Sequence, residues 1–195
     1  MRALARPALA ALLTLAFAAP AHARDASLSP TPPMGWNSWY AYGCRVTERD
    51  ILANAHALVD SGMARAGYRY VNVDGCWEAP ARSPDGELRA DPAAFPSGMA
   101  ALGRMLHAMG LEFGIYTSAG RTICLHDRPG SYPHYRRDFR TFARWGVDYV
   151  KVDWCNPAPG QHLRTAYRAV ARAAADAGRP MIVTVSTPGI SEPWR

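Results

Sequence analysis

Apolar, β-rich stretches alternate along this chain with longer helix-type segments. A glycine follows each helix-type segment, where a left-handed C-terminal cap is expected. The pattern predicts strands over 34–39, 68–74, 111–117, 147–153 and 181–186, and helices over 47–66, 97–109, 132–145 and 161–177. Thr47 and Asp50 are placed to cap the first helix. Strands that alternate with helices of this length form a parallel sheet in an α/β fold.

Two parallel architectures fit this alternation, a (β/α)8 barrel and an open doubly wound sheet. No G-x-G-x-x-G motif or P-loop follows the first strand, which disfavours a doubly wound nucleotide-binding sheet. Aromatic and acidic side chains stand near the ends of predicted strands, namely Trp39, Asp74, Tyr116 and Asp153. Barrel enzymes keep their catalytic groups at these ends, so we expect a (β/α)8 TIM barrel, of which about five βα units are present.

Lys151 is the only lysine of the chain, and it lies two residues before Asp153 in a β-type run. Positions i and i+2 of a strand share one face, so both side chains are predicted to project the same way. An aspartate beside a cation stays ionised, as the nucleophile of a glycosidase must.

These strand-end residues suit a neutral polyhydroxylated ligand. Asp74 is expected to accept two hydroxyl hydrogen bonds and Lys151 to donate to oxygens. Trp39, Trp77 and Tyr116 offer ring faces for the C–H groups of a sugar. Each residue alone has an ordinary interpretation, as a helix cap, a solvated charge or a core aromatic. Their combination at neighbouring strand ends favours a site.

The first 23 residues are typical of a signal peptide. A basic start precedes the apolar run 8–19, and Ala21-His22-Ala23 fits the cleavage rule. We therefore expect cleavage near Ala23 and a secreted or periplasmic protein. The even number of cysteines, Cys44, Cys76, Cys124 and Cys155, then predicts two disulfides, with three pairings possible.

Other functional classes are disfavoured. The formal charge of +6 is spread along the chain, so we expect no nucleic-acid partner. After the signal segment, no run reaches the ~18 apolar residues of a membrane span. The sequence has no C-x-x-C or HExxH spacing and no G-x-S-x-G motif. We therefore expect no metal, no cofactor and no serine nucleophile.

Five segments together resemble glycoside hydrolase family 27, the α-galactosidases and α-N-acetylgalactosaminidases. They are Thr-Pro-Pro-Met-Gly-Trp-Asn-Ser-Trp at 31–39, Val-Asp-Gly-Cys-Trp at 73–77, Asp-Pro with Phe-Pro-Ser-Gly at 91–98, Gly-Ile-Tyr at 114–116 and Tyr-Val-Lys-Val-Asp-Trp-Cys at 149–155. They occur in the family's order, and the resemblance extends over about 31–186.

The resemblance implies a retaining mechanism with Asp153 as the nucleophile that forms a glycosyl-enzyme ester. It implies substrate-binding roles for Trp39, Asp74, Tyr116 and Lys151, with an α-galactoside or oligosaccharide as substrate. It also implies the disulfides Cys44–Cys76 and Cys124–Cys155.

The chain departs from the family at Gly75, where members carry a second acid that holds hydroxyls of galactose. A related sugar is therefore an alternative substrate, as in β-L-arabinopyranosidases or isomaltodextranases. Trp154 stands where many members have a small residue.

A complete barrel needs about 250 residues, and the family's acid/base is an aspartate after a later strand. We therefore expect residues 24–195 to be the N-terminal portion of the catalytic domain, without the acid/base residue and inactive alone. A non-catalytic carbohydrate-binding remnant is the alternative function.

Overall fold

The structure, a computed structural model, describes residues 28–125 and 127–187. The predicted signal segment lies outside the described residues. The strands are β1 (Gly35–Asn37), β2 (Tyr70–Val73), β3 (Glu112–Ser118), β4 (Tyr149–Asp153) and β5 (Ile182–Ser186). The helices are α1 (Trp39–Tyr42), α2 (Glu48–Asp60), α3 (Met99–Ala108), α4 (Tyr135–Trp145) and α5 (Leu163–Ala175), with a 3₁₀ turn at Gly43–Arg45.

All five strands form one parallel sheet in the order β1-β2-β3-β4-β5. A doubly wound sheet reverses its order at a switch point, and the described strands show no reversal. The sheet is a half-barrel, as expected for part of a (β/α)8 barrel. The barrel prediction is therefore confirmed.

The helices cover one face of this sheet. Ile51, Ala55 and Leu58 are buried on one side of α2, at the spacing of an amphipathic helix. Along β4, buried Val150 and Val152 alternate with less buried residues, which places Lys151 and Asp153 on the opposite face. The apolar face of β4 therefore joins the core, and its polar face is left for a ligand.

The first long helix begins as predicted but ends earlier. Thr47 and Asp50 form the capping box, in which the Asp50 N–H donates to Thr47 Oγ1 at 3.3 Å and the Thr47 N–H donates to Asp50 Oδ2 at 3.0 Å. The predicted end at residue 66 is wrong, because α2 ends at Asp60 and residues 61–67 form turns. Gly62 there has a φ of 82°, which leaves the right-handed helix.

The remaining predicted elements exist with small changes at their ends. The first strand ends at Asn37, and the predicted helix starts at 97 and 132 move to Met99 and Tyr135. Gly146 closes α4 in the left-handed conformation, as predicted. Within the described ranges, no helix is long and apolar enough to cross a membrane.

Candidate active site

A cavity of about 240 Å³ lies at the carboxyl ends of β2, β3 and β4, next to the start of α1. Its wall contains five of the six residues predicted to contact a sugar, and it is formed by Trp39, Asp74, Gly75, Cys76, Tyr116, Ile123, Cys124, Leu125, Lys151 and Asp153. The prediction is wrong for Trp77, whose side chain is fully buried in the core and donates its Nε1–H to the Tyr116 carbonyl oxygen at 2.9 Å. Larger cavities of about 540 and 450 Å³ lie beside α2 and between α4 and α5, and none of the predicted residues lines them. At about 240 Å³ the cavity lies just below the range of about 300–1,000 Å³ for sites of drug-sized ligands, so it suits a ligand no larger than one sugar ring.

Strand register sets the relative heights of the site residues. Tyr116 on β3 is level with Lys151 on β4, and Ser118 is level with Asp153. The Lys151 ammonium lies 5.3 Å from the centre of the Tyr116 ring, within the range of a cation–π contact. Burial, followed by the charge of Asp153, raises the pKa of Tyr116, so its phenol stays neutral at physiological pH.

Asp74 is the most enclosed charged residue of the cavity, with a side chain only 3% exposed. The Lys151 ammonium donates to Asp74 Oδ2 at 2.9 Å, and the Asn37 amide donates to the same oxygen at 2.7 Å. The Gly75 N–H donates to Oδ1 at 2.8 Å, and the Asp74 N–H donates to Ser38 Oγ at 3.0 Å. Asp74 is thus bound by groups from β1, β4 and its own turn.

These contacts limit what Asp74 can offer a ligand. A carboxylate accepts about four hydrogen bonds, two at each oxygen. Lys151 and Asn37 occupy both positions of Oδ2, and Gly75 occupies one of Oδ1. One position remains while these three contacts persist, so a second hydroxyl would have to displace one of the donors, and the acceptance of two hydroxyl hydrogen bonds stays a prediction. Lys151 keeps two protons to donate and is the stronger candidate for ligand oxygens.

Asp153, at the end of β4, is held less tightly. Its Oδ1 is buried and has no hydrogen-bond partner among the described residues. Its Oδ2 lies 3.3 Å from Cys124 Sγ, but a disulfide sulfur has no proton to donate. A buried acceptor without a donor is costly and calls for an explanation. A nucleophile attacks with a lone pair of its oxygen, and a hydrogen bond to that oxygen would make the lone pair less reactive.

Both implied disulfides are present. Cys44 is bonded to Cys76 with their Cα atoms 5.1 Å apart, and Cys124 is bonded to Cys155 at 4.9 Å. Cys76 has a φ of 76°, a costly conformation for a residue with a Cβ, two positions after Asp74. The disulfide holds that turn, and thereby holds the backbone of Asp74.

Metal binding fits poorly at the clusters of ligand-type residues. Cys124, Asp153 and Cys155 lie together, but both sulfurs belong to a disulfide and cannot act as thiolates. His107, Glu112 and Asp148 form a second cluster at the opposite end of the strands. There Asp148 already contacts His107 at 2.7 Å and pairs with Arg179. This cluster is better explained as an ion-pair network.

Five residues around the site were not predicted from the sequence, namely Asn37, Ser38, Glu78, Ile123 and Leu125. Asn37 is the last residue of β1 and Ser38 follows it directly, so the strand-end rule that selected Trp39 could have found both. Leu125, on the cavity wall, gave no signal of its own. Glu78 is fully buried with both carboxylate oxygens unpaired among the described residues. Its burial raises its pKa to about 8, so it is mostly protonated at neutral pH.

Comparison with known proteins agrees with this geometry. Residues 31–194 match the family described as alpha galactosidase A. The α-galactosidase A of Cellvibrio japonicus is 47% identical over 167 residues, which cover 86% of this chain and 41% of that protein.

Two solved structures share the fold. The α-galactosidase I of Mortierella vinacea superposes with a TM-score of 0.83 at 38% identity, over 88% of this chain and 44% of that one. An α-galactosidase of Saccharomyces cerevisiae with raffinose gives a TM-score of 0.78 at 34% identity, over 85% and 37%. The chain therefore spans less than half the length of these relatives.

Proposed function

The chain belongs to the α-galactosidase A family of glycoside hydrolases, and we propose on that basis that it acts on terminal α-linked galactose through a covalent intermediate on Asp153. One observation carries the proposal. Asp153 Oδ1 has no hydrogen-bond partner among the described residues, and Asp153 lies on the wall of a cavity the size of one sugar. The aromatic and charged groups of that wall suit a sugar ring.

The reaction follows the retaining scheme. A carboxylate oxygen of Asp153 attacks the anomeric carbon, the bond to the leaving oxygen breaks, and that oxygen takes up a proton. Water then attacks the same carbon, gives its proton to a base and releases Asp153 from the ester. Each step inverts the anomeric carbon, so the product retains the configuration of the substrate.

The proton for the leaving oxygen is the open part of this scheme. Asp74 and Asp153 are the two carboxyl groups on the described cavity wall. Asp74 already accepts hydrogen bonds from Lys151, Asn37 and Gly75, so its carboxyl group is placed to orient hydroxyls and not to protonate a leaving oxygen. A carbohydrate-binding protein without turnover is therefore the second candidate function, since binding needs Lys151, Asp74 and the aromatic rings but no acid.

Lys151 and Asp74 are proposed to orient the hydroxyls, and Trp39 and Tyr116 to pack against the ring. The S. cerevisiae relative has a structure with raffinose, which supports a small or oligosaccharide α-galactoside as substrate. A Cβ atom at position 75 would lie 3.2 Å from the Tyr116 ring. Glycine at this position therefore leaves space beside that ring which any larger residue would fill. A related sugar remains the alternative substrate.

We propose that the protein is exported. Its two disulfides support this, because disulfides persist in oxidising compartments.

A mechanism-based sugar tests the nucleophile without relying on an acid. A 2-deoxy-2-fluoro-α-galactosyl fluoride needs little help with its leaving group, and its glycosyl-enzyme ester is long-lived. The 195-residue protein is expected to gain the mass of one sugar, mapped to the peptide that contains Asp153. Asp153→Asn should gain none, whereas Asp85→Asn, at an exposed position, should react like the parent.

Labelling of Asp153→Asn at the parental rate would refute the assignment. Galactose binding by calorimetry without any label would support the second candidate instead.

A further inference from the structure

We propose that Asn37 is a positioning residue of this cavity, which fixes the orientation of the Asp74 carboxylate and limits it to one free acceptor position. The inference rests on the proposed sugar-binding function and adds the group that aligns Asp74. Asn37 ends β1, and its side chain lies between the start of α1 and the residue that follows β2.

Two contacts fix which way the Asn37 amide points. The Trp39 N–H donates to Asn37 Oδ1 at 2.9 Å, so the oxygen must lie on that side. The nitrogen then lies against Asp74 Oδ2, at 2.7 Å. The opposite orientation would bring two donors together at Trp39 and two acceptors together at Asp74. Asn37 therefore acts as a donor to Asp74, and it ties Trp39 to the same network.

Asp74 Oδ2 is shared between Asn37 and Lys151. The ammonium of Lys151 is a flexible point charge that can pair with either oxygen of a carboxylate. The Asn37 amide is planar and is held by the Trp39 N–H, so it can donate to Asp74 from one direction only. With Asn37 in place, Lys151 is directed to Oδ2, and the free position stays on Oδ1. Without Asn37, the carboxylate has one donor fewer and is free to turn.

Replacing Asn37 with aspartate would reverse its effect, because the new group has the same shape but can only accept. Two carboxylates would then face each other at the present 2.7 Å, with the Lys151 ammonium beside Asp74 offsetting one of the two charges, so their remaining repulsion favours a proton shared between them. Protonation of either one would restore a donor between them. The proposal therefore predicts that Asn37→Asp loses ligand binding at neutral pH and regains it at lower pH. If Asn37 only supported the fold, the loss would not depend on pH in this way.

The first experiment measures D-galactose binding by calorimetry at pH 7 and pH 5. Asn37→Ala is expected to bind about tenfold more weakly than the parent, as loss of a hydrogen bond to a charged group implies. Asn37→Asp is expected to bind about a hundredfold more weakly at pH 7 and to recover most of that loss at pH 5.

Asn54→Asp is the matched control. Asn54 is half-buried on α2, and it donates to the Tyr42 hydroxyl at 2.9 Å and the Asp50 carbonyl at 2.8 Å, outside the cavity. This variant is expected to bind like the parent at both pH values. Equal affinity and equal pH dependence for the two aspartate variants would overturn the proposal.

A second measurement needs no ligand. Because Lys151 is the only lysine, ¹⁵N-lysine labelling gives a single ε-ammonium resonance. Asn37→Ala is expected to move that resonance, since Lys151 becomes the sole side-chain donor to Asp74, and Asn54→Ala is expected to leave it in place. An unmoved resonance in Asn37→Ala would overturn the proposal. A moved resonance in a protein that does not bind galactose would uphold the positioning role and refute the proposed function.

Discussion

The pair of Lys151 and Asp74 should stabilise the fold as well as the site. Their charged atoms are 2.9 Å apart, and the side chains are 27% and 3% exposed. At an effective dielectric constant of about 20, Coulomb's law gives an attraction of about 6 kcal/mol at this distance. Desolvation of Asp74 and solvent screening at Lys151 reduce this value. We expect a net coupling of about 2–3 kcal/mol between the two side chains.

A double-mutant cycle measures this coupling. Lys151→Met keeps the length of the side chain without its charge, and Asp74→Asn keeps its shape. Lys151→Met alone should lower the free energy of unfolding by about 3–5 kcal/mol, because it leaves a buried carboxylate without its cation. Adding Asp74→Asn should restore part of that loss. Urea unfolding at pH 7, followed by circular dichroism, gives each free energy.

An exposed pair provides the control for this cycle. Arg136 and Asp176 lie 3.5 Å apart with side chains 70% and 53% exposed. Exposed pairs contribute about 0–1 kcal/mol, so the same cycle there should give a small coupling. If the coupling between Lys151 and Asp74 were no larger than that control, our account of the cavity as a low-dielectric site would be wrong.

Two further predictions concern Glu78 and the second disulfide. Burial raises the pKa of Glu78 to about 8 in the folded protein, so the folded state binds more protons than the unfolded state between about pH 4.5 and 8. Parental stability should therefore fall across that range by about 5 kcal/mol, and Glu78→Gln should remove most of this fall when unfolding by urea is measured at several pH values. Equal slopes of stability against pH for the two proteins would contradict this. Replacing Cys124 and Cys155 together with alanine should lower the free energy of unfolding by about 3–4 kcal/mol, as expected for opening a loop of 31 residues. The same double replacement should slow labelling by the fluorosugar, because Cys124 contacts both Tyr116 and Asp153. Labelling at the parental rate would show that this disulfide does not align the nucleophile.

The sequence was informative wherever one local rule decides the outcome. Lys151 and Asp153 share a face because strand geometry repeats every two residues, and the structure places both on the cavity wall. Sequence patterns were weaker where two tendencies compete. Residues 63–66 have good helix propensity, but the backbone of Gly62 has already left the helix.

The contacts of Asp74 could not be predicted, because they depend on distant parts of the chain. Asn37 is 37 residues away and Lys151 is 77 residues away in sequence. Both contacts form only once the strands β1 to β4 have assembled into one sheet. Glu78 is a similar case, since a single charged residue in a polar loop predicts exposure, and only the packed structure buries it.

If the protein is exported as proposed, the order of its two disulfides has a consequence for how they form. Cys44 pairs with Cys76 and Cys124 pairs with Cys155, so the first two cysteines of the chain form one bridge and the last two form the other. A chain that crosses a membrane from its N-terminus exposes its cysteines in the same order. An oxidase acting on each new pair of thiols would therefore produce the native bridges directly. Disulfide exchange, which is slow, would not be needed to correct them.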